Sequence, residues 1–136
     1  MLQVHQHRIW FDGSITRNPG GDMSCGFVAE GEYSSHRYTS STDIDAWRTP
    51  KTNNVAEYYG LIYALDFAKS EGWDDIIVYG DSMLVVKQVN GDWRCKKEHL
   101  KKLRKEASDL MNSFDSIELV HIPREENAEV DKLSKR

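Results

Sequence analysis

The stretch that most constrains this chain is Arg8-Ile9-Trp10-Phe11-Asp12-Gly13-Ser14. It reads as a short apolar strand ending in an aspartate, with a Gly-Ser turn behind it. A carboxylate where a buried strand runs out is costly unless something positive meets it. Three further acids, Glu57, Asp81 and Asp131, hold comparable places. The strand is expected to be the centre of a sheet, with the four acids collected around its end to hold metal ions.

Taken in order, the segments support that expectation. A turn-rich loop over residues 13–22 contains Asn18-Pro19-Gly20-Gly21. Residues 25–30 read as a second strand and Tyr33–Ser40 as a third, the three forming an antiparallel meander. Ser41–Lys51 is polar, carries Pro50, and reads as a loop. Thr52-Asn53-Asn54 offers a helix cap, and the helix runs from about Val55 to Ser70 with Glu57, Leu61, Ala64, Leu65 and Ala68 on one face. Were Asn54 the cap, Glu57 could instead close a capping box.

Ile76–Tyr79 is a compact apolar strand that runs into Gly80-Asp81-Ser82. Sites collect at that end of parallel strands, although Asp81 or Ser82 could equally serve as an N-cap. A short helix over residues 84–89 stops at Asn90-Gly91. A longer helix follows from Glu98 to about Ser113, then a strand over 117–122 ended by Pro123, then a helix from about Asn127. Asp131 on that last helix points away from a simple core contact, and a plain surface acid is its structural alternative. The order is β-β-β-α-β-α-α-β-α.

Composition narrows the class. At 136 residues, 39% hydrophobic and 29% charged, the chain fits one globular domain over residues 1–136. Neither a secretory leader nor a membrane span is legible. Cys25 and Cys95 form no disulfide framework or zinc set, which fits a reducing cytoplasm. Net charge is -4, yet residues 87–105 hold eight basic and two acidic side chains. A basic patch on an acidic protein suits a phosphate backbone laid over one edge, or else a solvated helix face.

The residues also carry a resemblance. Phe11-Asp12-Gly13-Ser14, Asn18-Pro19-Gly20, Thr52-Asn53-Asn54-Val55-Ala56-Glu57-Tyr58, Gly80-Asp81-Ser82, and Pro123-Arg124-Glu125-Glu126-Asn127 through Asp131 resemble the ordered motifs of type 1 ribonuclease H. The resemblance covers residues 8 to 134. It implies an α/β fold with a five-stranded mixed sheet, three antiparallel strands then two parallel, flanked by helices. It implies hydrolysis of the RNA strand of an RNA–DNA hybrid, leaving 3′-hydroxyl and 5′-phosphate ends. Asp12, Glu57, Asp81 and Asp131 become the catalytic acids.

Physical chemistry agrees with that mapping. Clustered carboxylates repel unless cations neutralise them. Oxygen donors with room for water and phosphate suit Mg²⁺ or Mn²⁺, and two such ions about 3.5–4 Å apart can drive an in-line displacement. Asp12 is assigned as the bridging ligand, Glu57 and Asp81 to one ion and Asp131 to the other. By resemblance, Asn18, Asn53 and Asn54 face the backbone or 2′-hydroxyls, and Trp93, Arg94, Lys96 and Lys97 face the DNA strand.

Two departures stand out. The chain resembles a subgroup without the basic protrusion, since Asn90–Trp93 leads almost directly into the next helix. No hybrid-binding module is expected ahead of the first strand. The resemblance implies a residue that assists product release, a histidine in a mobile loop in many members and an arginine in a subgroup. Arg124, seven residues before Asp131, matches that subgroup and is preferred over His121, which stands ten before but within a strand. A monomer is expected. A non-catalytic nucleic-acid-binding module and another nuclease of the superfamily are the alternatives, and a substrate panel separates them.

Overall fold

A computed structural model describes residues 7–31, 37–45 and 49–135. Five strands form one mixed sheet in the order β3-β2-β1-β4-β5: β1 His7–Ile15, β2 Met23–Gly31, β3 Arg37–Ile44, β4 Asp75–Gly80 and β5 Ser116–His121. β1 pairs antiparallel with β2 and parallel with β4, so it is the central strand, as expected. β4 and β5 are parallel. The helices are α1 Asn53–Ser70, α2 Met83–Val89, α3 Glu98–Met111 and α4 Ala128–Ser134, the last entered through a 3-10 turn over Arg124–Asn127.

Strand alternation splits the sheet into two faces. Ile9 and Phe11 of β1 are fully buried, with the Phe11 ring against Gly60 of α1. Trp10 turns the other way and lines a hollow with Val130 of α4. Residues of α1 are buried over more of its circumference than a single stripe, Tyr58 and Ile62 included. The reason is that α1 lies between the sheet and α3. Removing such apolar side chains from water contributes roughly 1.5–3 kcal/mol each.

Two expected boundaries are corrected. β1 does not end at Asp12: Gly13 and Ser14 pair with Cys25 and Ser24, and the loop begins after Ile15. Asp12 instead sits one residue past the last β1–β4 pair, Phe11 with Gly80. Ser41–Ile44, read as loop, belong to β3, where Thr42 pairs with Cys25 and Ser41 with Gly26. Pairing with a buried neighbour, and Ser41 Oγ donating to the Leu133 carbonyl at 2.6 Å, outweighs their polarity. The expected start of that strand at Tyr33 lies outside the described residues, as do residues 46–48 of the expected loop.

The cap of α1 is Thr52, whose hydroxyl accepts from Val55 N–H at 3.2 Å. Glu57 therefore sits in the second turn and closes no capping box. Ser82 caps α2, accepting from Val85 N–H at 3.3 Å, which leaves the Asp81 carboxylate outside that role.

Candidate active site

The parallel register of β1 and β4 fixes the core of the site. Asp12 and Asp81 each follow the last paired residue of adjacent strands, so their carboxylates emerge side by side. α1 completes the set because it approaches the end of β1 very closely. A Cβ on Gly60 would lie 2.6 Å from the Asp12 carbonyl oxygen, and one on Gly13 would lie 2.2 Å from the Ala56 carbonyl carbon. Only glycine permits that approach at both positions. It brings Glu57 Oε2 to accept from Gly13 N–H at 3.2 Å.

The result is a group of three acids, Asp12, Glu57 and Asp81, with ligand oxygens all within 4.8 Å of one another. Asp12 is 2% exposed and Glu57 5%. Asp131, one turn into α4, lines the same cleft and acts on the titration of Asp12. The four share a cleft of about 350 Å³ that also admits Asn53, Ser82, Arg124 and Lys135.

Burial pushes the Asp12 carboxyl up to about 7, with Asp131 and Asp81 adding to the shift against a lowering contact from Glu57. Burial, then the charge of Asp12, holds Glu57 well above the ordinary glutamate range. Asp131 goes the other way: burial acts to raise it, but Asp12, Lys135 and Arg124 together hold it below the usual value. No lysine or arginine among the described residues reaches Asp12, Glu57 or Asp81 as an ion pair. Three close acids without a cation, all oxygen donors, fit a hard divalent ion. The Cys25 thiol behind them is buried and pushed up to about 12, as an inert core thiol should be.

The remaining expected residues divide. Asn53 and Arg124 line the cleft. Asn18 does not line it; its Oδ1 accepts from Asn53 N–H at 3.2 Å at the exposed start of α1. Asn54 is half-buried in the first turn of α1. Trp93, Arg94, Lys96 and Lys97 form an exposed ledge between α2 and α3, away from the acids, with Trp93 45% exposed. His121 ends β5 and is absent from the cleft lining.

Three residues of the site escaped sequence reasoning. Asn127 is 2% exposed, and its Nδ2 donates to the Phe11 carbonyl at 3.0 Å and to Asp81 Oδ2 at 3.1 Å. Ser134, fully buried, sets its hydroxyl 3.1 Å from Asp12 Oδ2 and 2.8 Å from the Asp131 carbonyl. Lys135 Nζ lies 3.2 Å from Asp131 Oδ2. Ser134 and Lys135 follow Asp131 by three and four residues, the helical spacing that could have flagged them. For Asn127, the signal was a polar residue one turn before an acid at a helix start.

Residues 36–136 match the family model described as reverse transcriptase-like. Ribonuclease HI of Halobacterium salinarum is 37% identical over 135 residues, covering 92% of this chain and 60% of that relative. The chain spans 33% of the longer mycobacterial relatives it matches. The crystal structure of RNase H1 from the same archaeon superposes with a TM-score of 0.86 at 35% identity, covering 94% of this chain and 93% of that one. LC11-RNase H1, isolated from compost and solved in complex with an RNA/DNA hybrid, superposes with a TM-score of 0.81 at 34% identity, covering 93% and 92%.

Proposed function

Because the chain belongs to the type 1 ribonuclease H family, we propose that it hydrolyses the RNA strand of RNA–DNA hybrids in a divalent-metal-dependent reaction, as a single ribonuclease H domain. The products are a 3′-hydroxyl and a 5′-phosphate. The observation that carries this reading is the three-acid group of Asp12, Glu57 and Asp81, with Asp131 lining the same cleft. A relative of similar fold captured on a hybrid supports the substrate class.

Two Mg²⁺ or Mn²⁺ ions held there would supply water activation and stabilisation of the leaving 3′ oxygen. Asp12, Glu57 and Asp81 would hold one ion, and Asp12 with Asp131 the other. The protein's own groups do the rest. Gly13 N–H fixes the Glu57 carboxylate and Asn127 Nδ2 fixes that of Asp81, so the donor set is oriented before an ion arrives. Asn53, in the cleft wall, would read the RNA backbone and its 2′-hydroxyl, with Asn54 beside it on the first turn of α1 and Asn18 reaching the Asn53 backbone N–H from the loop after β1. Arg124, 70% exposed at the rim, presents a mobile cation to the cleaved phosphate and assists its release. The ledge of Trp93, Arg94, Lys96 and Lys97 takes the DNA strand.

The test is a digestion panel with Mg²⁺ or Mn²⁺: RNA–DNA hybrid, duplex RNA, duplex DNA and single strands, with Asp12→Asn as control. The reading expects cleavage of the hybrid alone, in its RNA strand, and none by the variant. Equal cleavage of duplex DNA would assign the site to another nuclease of the same fold, and hybrid binding without any cleavage to a non-catalytic module.

A further inference from the structure

Charge is compensated unevenly among the four acids. Asp12, Glu57 and Asp81 have no ion-pair partner among the described residues. Asp131 has two: Lys135 Nζ stands 3.2 Å from Oδ2, and Arg124 Nη2 stands 3.7 Å from Oδ1. Lys135 is closer and lines the acidic cleft itself. Its place follows from the helix: residues four apart overlie one another, and an acid preceding a lysine is the favourable order. The Lys135 N–H, donating to the Asp131 carbonyl at 3.3 Å, keeps the backbone in that register beyond the last helical residue.

Resting on the metal-dependent site proposed above, we infer that Lys135 is a tethered cation standing in at Asp131 for the divalent ion that Asp12 and Asp131 would share. The protein then loads one ion at Asp12, Glu57 and Asp81, where nothing competes. It loads the second only by displacing the Lys135 ammonium. The side chain suits this work. A lysine is a point charge on a flexible stem, and this one is 53% exposed. An exposed pair of this kind is weak, so the tether lowers affinity for the second ion without abolishing it. Arg124, beyond hydrogen-bonding distance and more exposed, competes less.

The test needs no substrate. Mn²⁺ binding to the whole protein is followed by calorimetric titration and by the Mn²⁺ electron-spin signal. Wild type is expected to show a tighter and a weaker site. Lys135→Gln should tighten the weaker site about fivefold, given the modest strength of exposed pairs, and leave the tighter one within twofold. Lys135→Arg, which keeps the charge, should behave as wild type. Lys132→Gln, which removes an exposed charge from the same helix, should change neither site. Adding Asp131→Asn to Lys135→Gln should cancel the gain.

The inference is overturned if Lys135→Gln binds the second ion no tighter, or if Lys132→Gln gives the same gain. Should wild type bind no Mn²⁺, or Asp12→Asn bind it equally well, the metal site itself fails and this inference falls with it. Thermal melts of each variant confirm that the fold is intact.

Discussion

The backbone N–H of Gly13 donates to Glu57 Oε2 at 3.2 Å, and that one bond joins the strand bearing Asp12 to the helix bearing Glu57. It exists because α1 passes so close to β1 that a Cβ on Gly13 would lie 2.2 Å from the Ala56 carbonyl carbon and 2.3 Å from the Glu57 nitrogen. Both neighbours are backbone atoms of a buried helix. Neither can step aside without moving α1 off the sheet. Gly13→Ala is therefore expected to cost about 3 kcal/mol of stability, the upper range for overpacking, and to lower hybrid cleavage sharply. Urea denaturation checks the first and initial rates the second. A variant within 1 kcal/mol of wild type would mean that the helix yields freely at this contact.

The acids predict a pH dependence whose sign is fixed by their shifts. Burial, with Asp131 and Asp81 nearby, raises Asp12 to about 7 from an ordinary 3.8, and Glu57 is raised as well. A raised carboxyl binds its proton more tightly in the folded state. Its contribution to stability is full below the ordinary value and is lost as pH rises through 7. Asp131, held low, acts oppositely and loses its contribution only in stronger acid. Metal-free protein should accordingly melt at a higher temperature near pH 5 than near pH 8. Mg²⁺ or Mn²⁺ should raise the melting temperature far more at pH 8 than at pH 5. Asp12→Asn, which removes one buried like charge, should flatten the metal-free profile and abolish cleavage. Differential scanning calorimetry in chelator and in metal decides this, and a metal-free melting point that climbs from pH 5 to pH 8 would contradict it.

Much of this arrangement was legible in the sequence. Apolar runs ending in acids at residues 12 and 81 marked two strand ends, and the mixed sheet that sets them side by side was what the resemblance implied. What the residues alone did not reveal is of two physical kinds. Extended pairing was hidden where polar residues borrow stability from a buried neighbour: Ser41 and Thr42 look like loop until β2 lies beside them. Gly13 and Ser14 look like a turn for the same reason. Long-range hydrogen bonds were hidden because they join residues far apart in the chain, such as Asn127 to Phe11 and Ser134 to Asp12. No local period encodes those.

Asn127 carries the sharpest consequence of such a bond. Its side-chain amide holds both the Phe11 carbonyl, at 3.0 Å, and Asp81 Oδ2, at 3.1 Å, in a place only 2% exposed. Asn127→Ala leaves the two acceptors without that donor. A buried acceptor so abandoned costs roughly 1–3 kcal/mol. The Asp81 carboxylate also loses the contact that orients it, and outer contacts of this kind are worth about 10–100-fold in metal affinity or activity. The expected result is a lower melting temperature together with a higher Mg²⁺ concentration for half-maximal cleavage. A variant that is destabilised yet needs no more Mg²⁺ would show that Asn127 serves the fold alone.

The ledge of Arg94, Lys96 and Lys97 makes the last prediction. These side chains are exposed and lie in a segment of strong positive charge on a chain of net charge -4. If they meet phosphates of the DNA strand, each should release counterions on binding. Substituting any one by alanine should then weaken hybrid binding by a similar factor for every sequence. It should also reduce the steepness of log affinity against log salt by about 1. Asn53→Ala should behave differently, since an amide releases no counterion: the salt slope stays, while discrimination against a strand lacking 2′-hydroxyls falls. Anisotropy titrations of the Asp12→Asn protein with labelled hybrids, over a series of salt concentrations, separate the two. Unchanged slopes for all three basic variants would place the DNA strand elsewhere on the molecule.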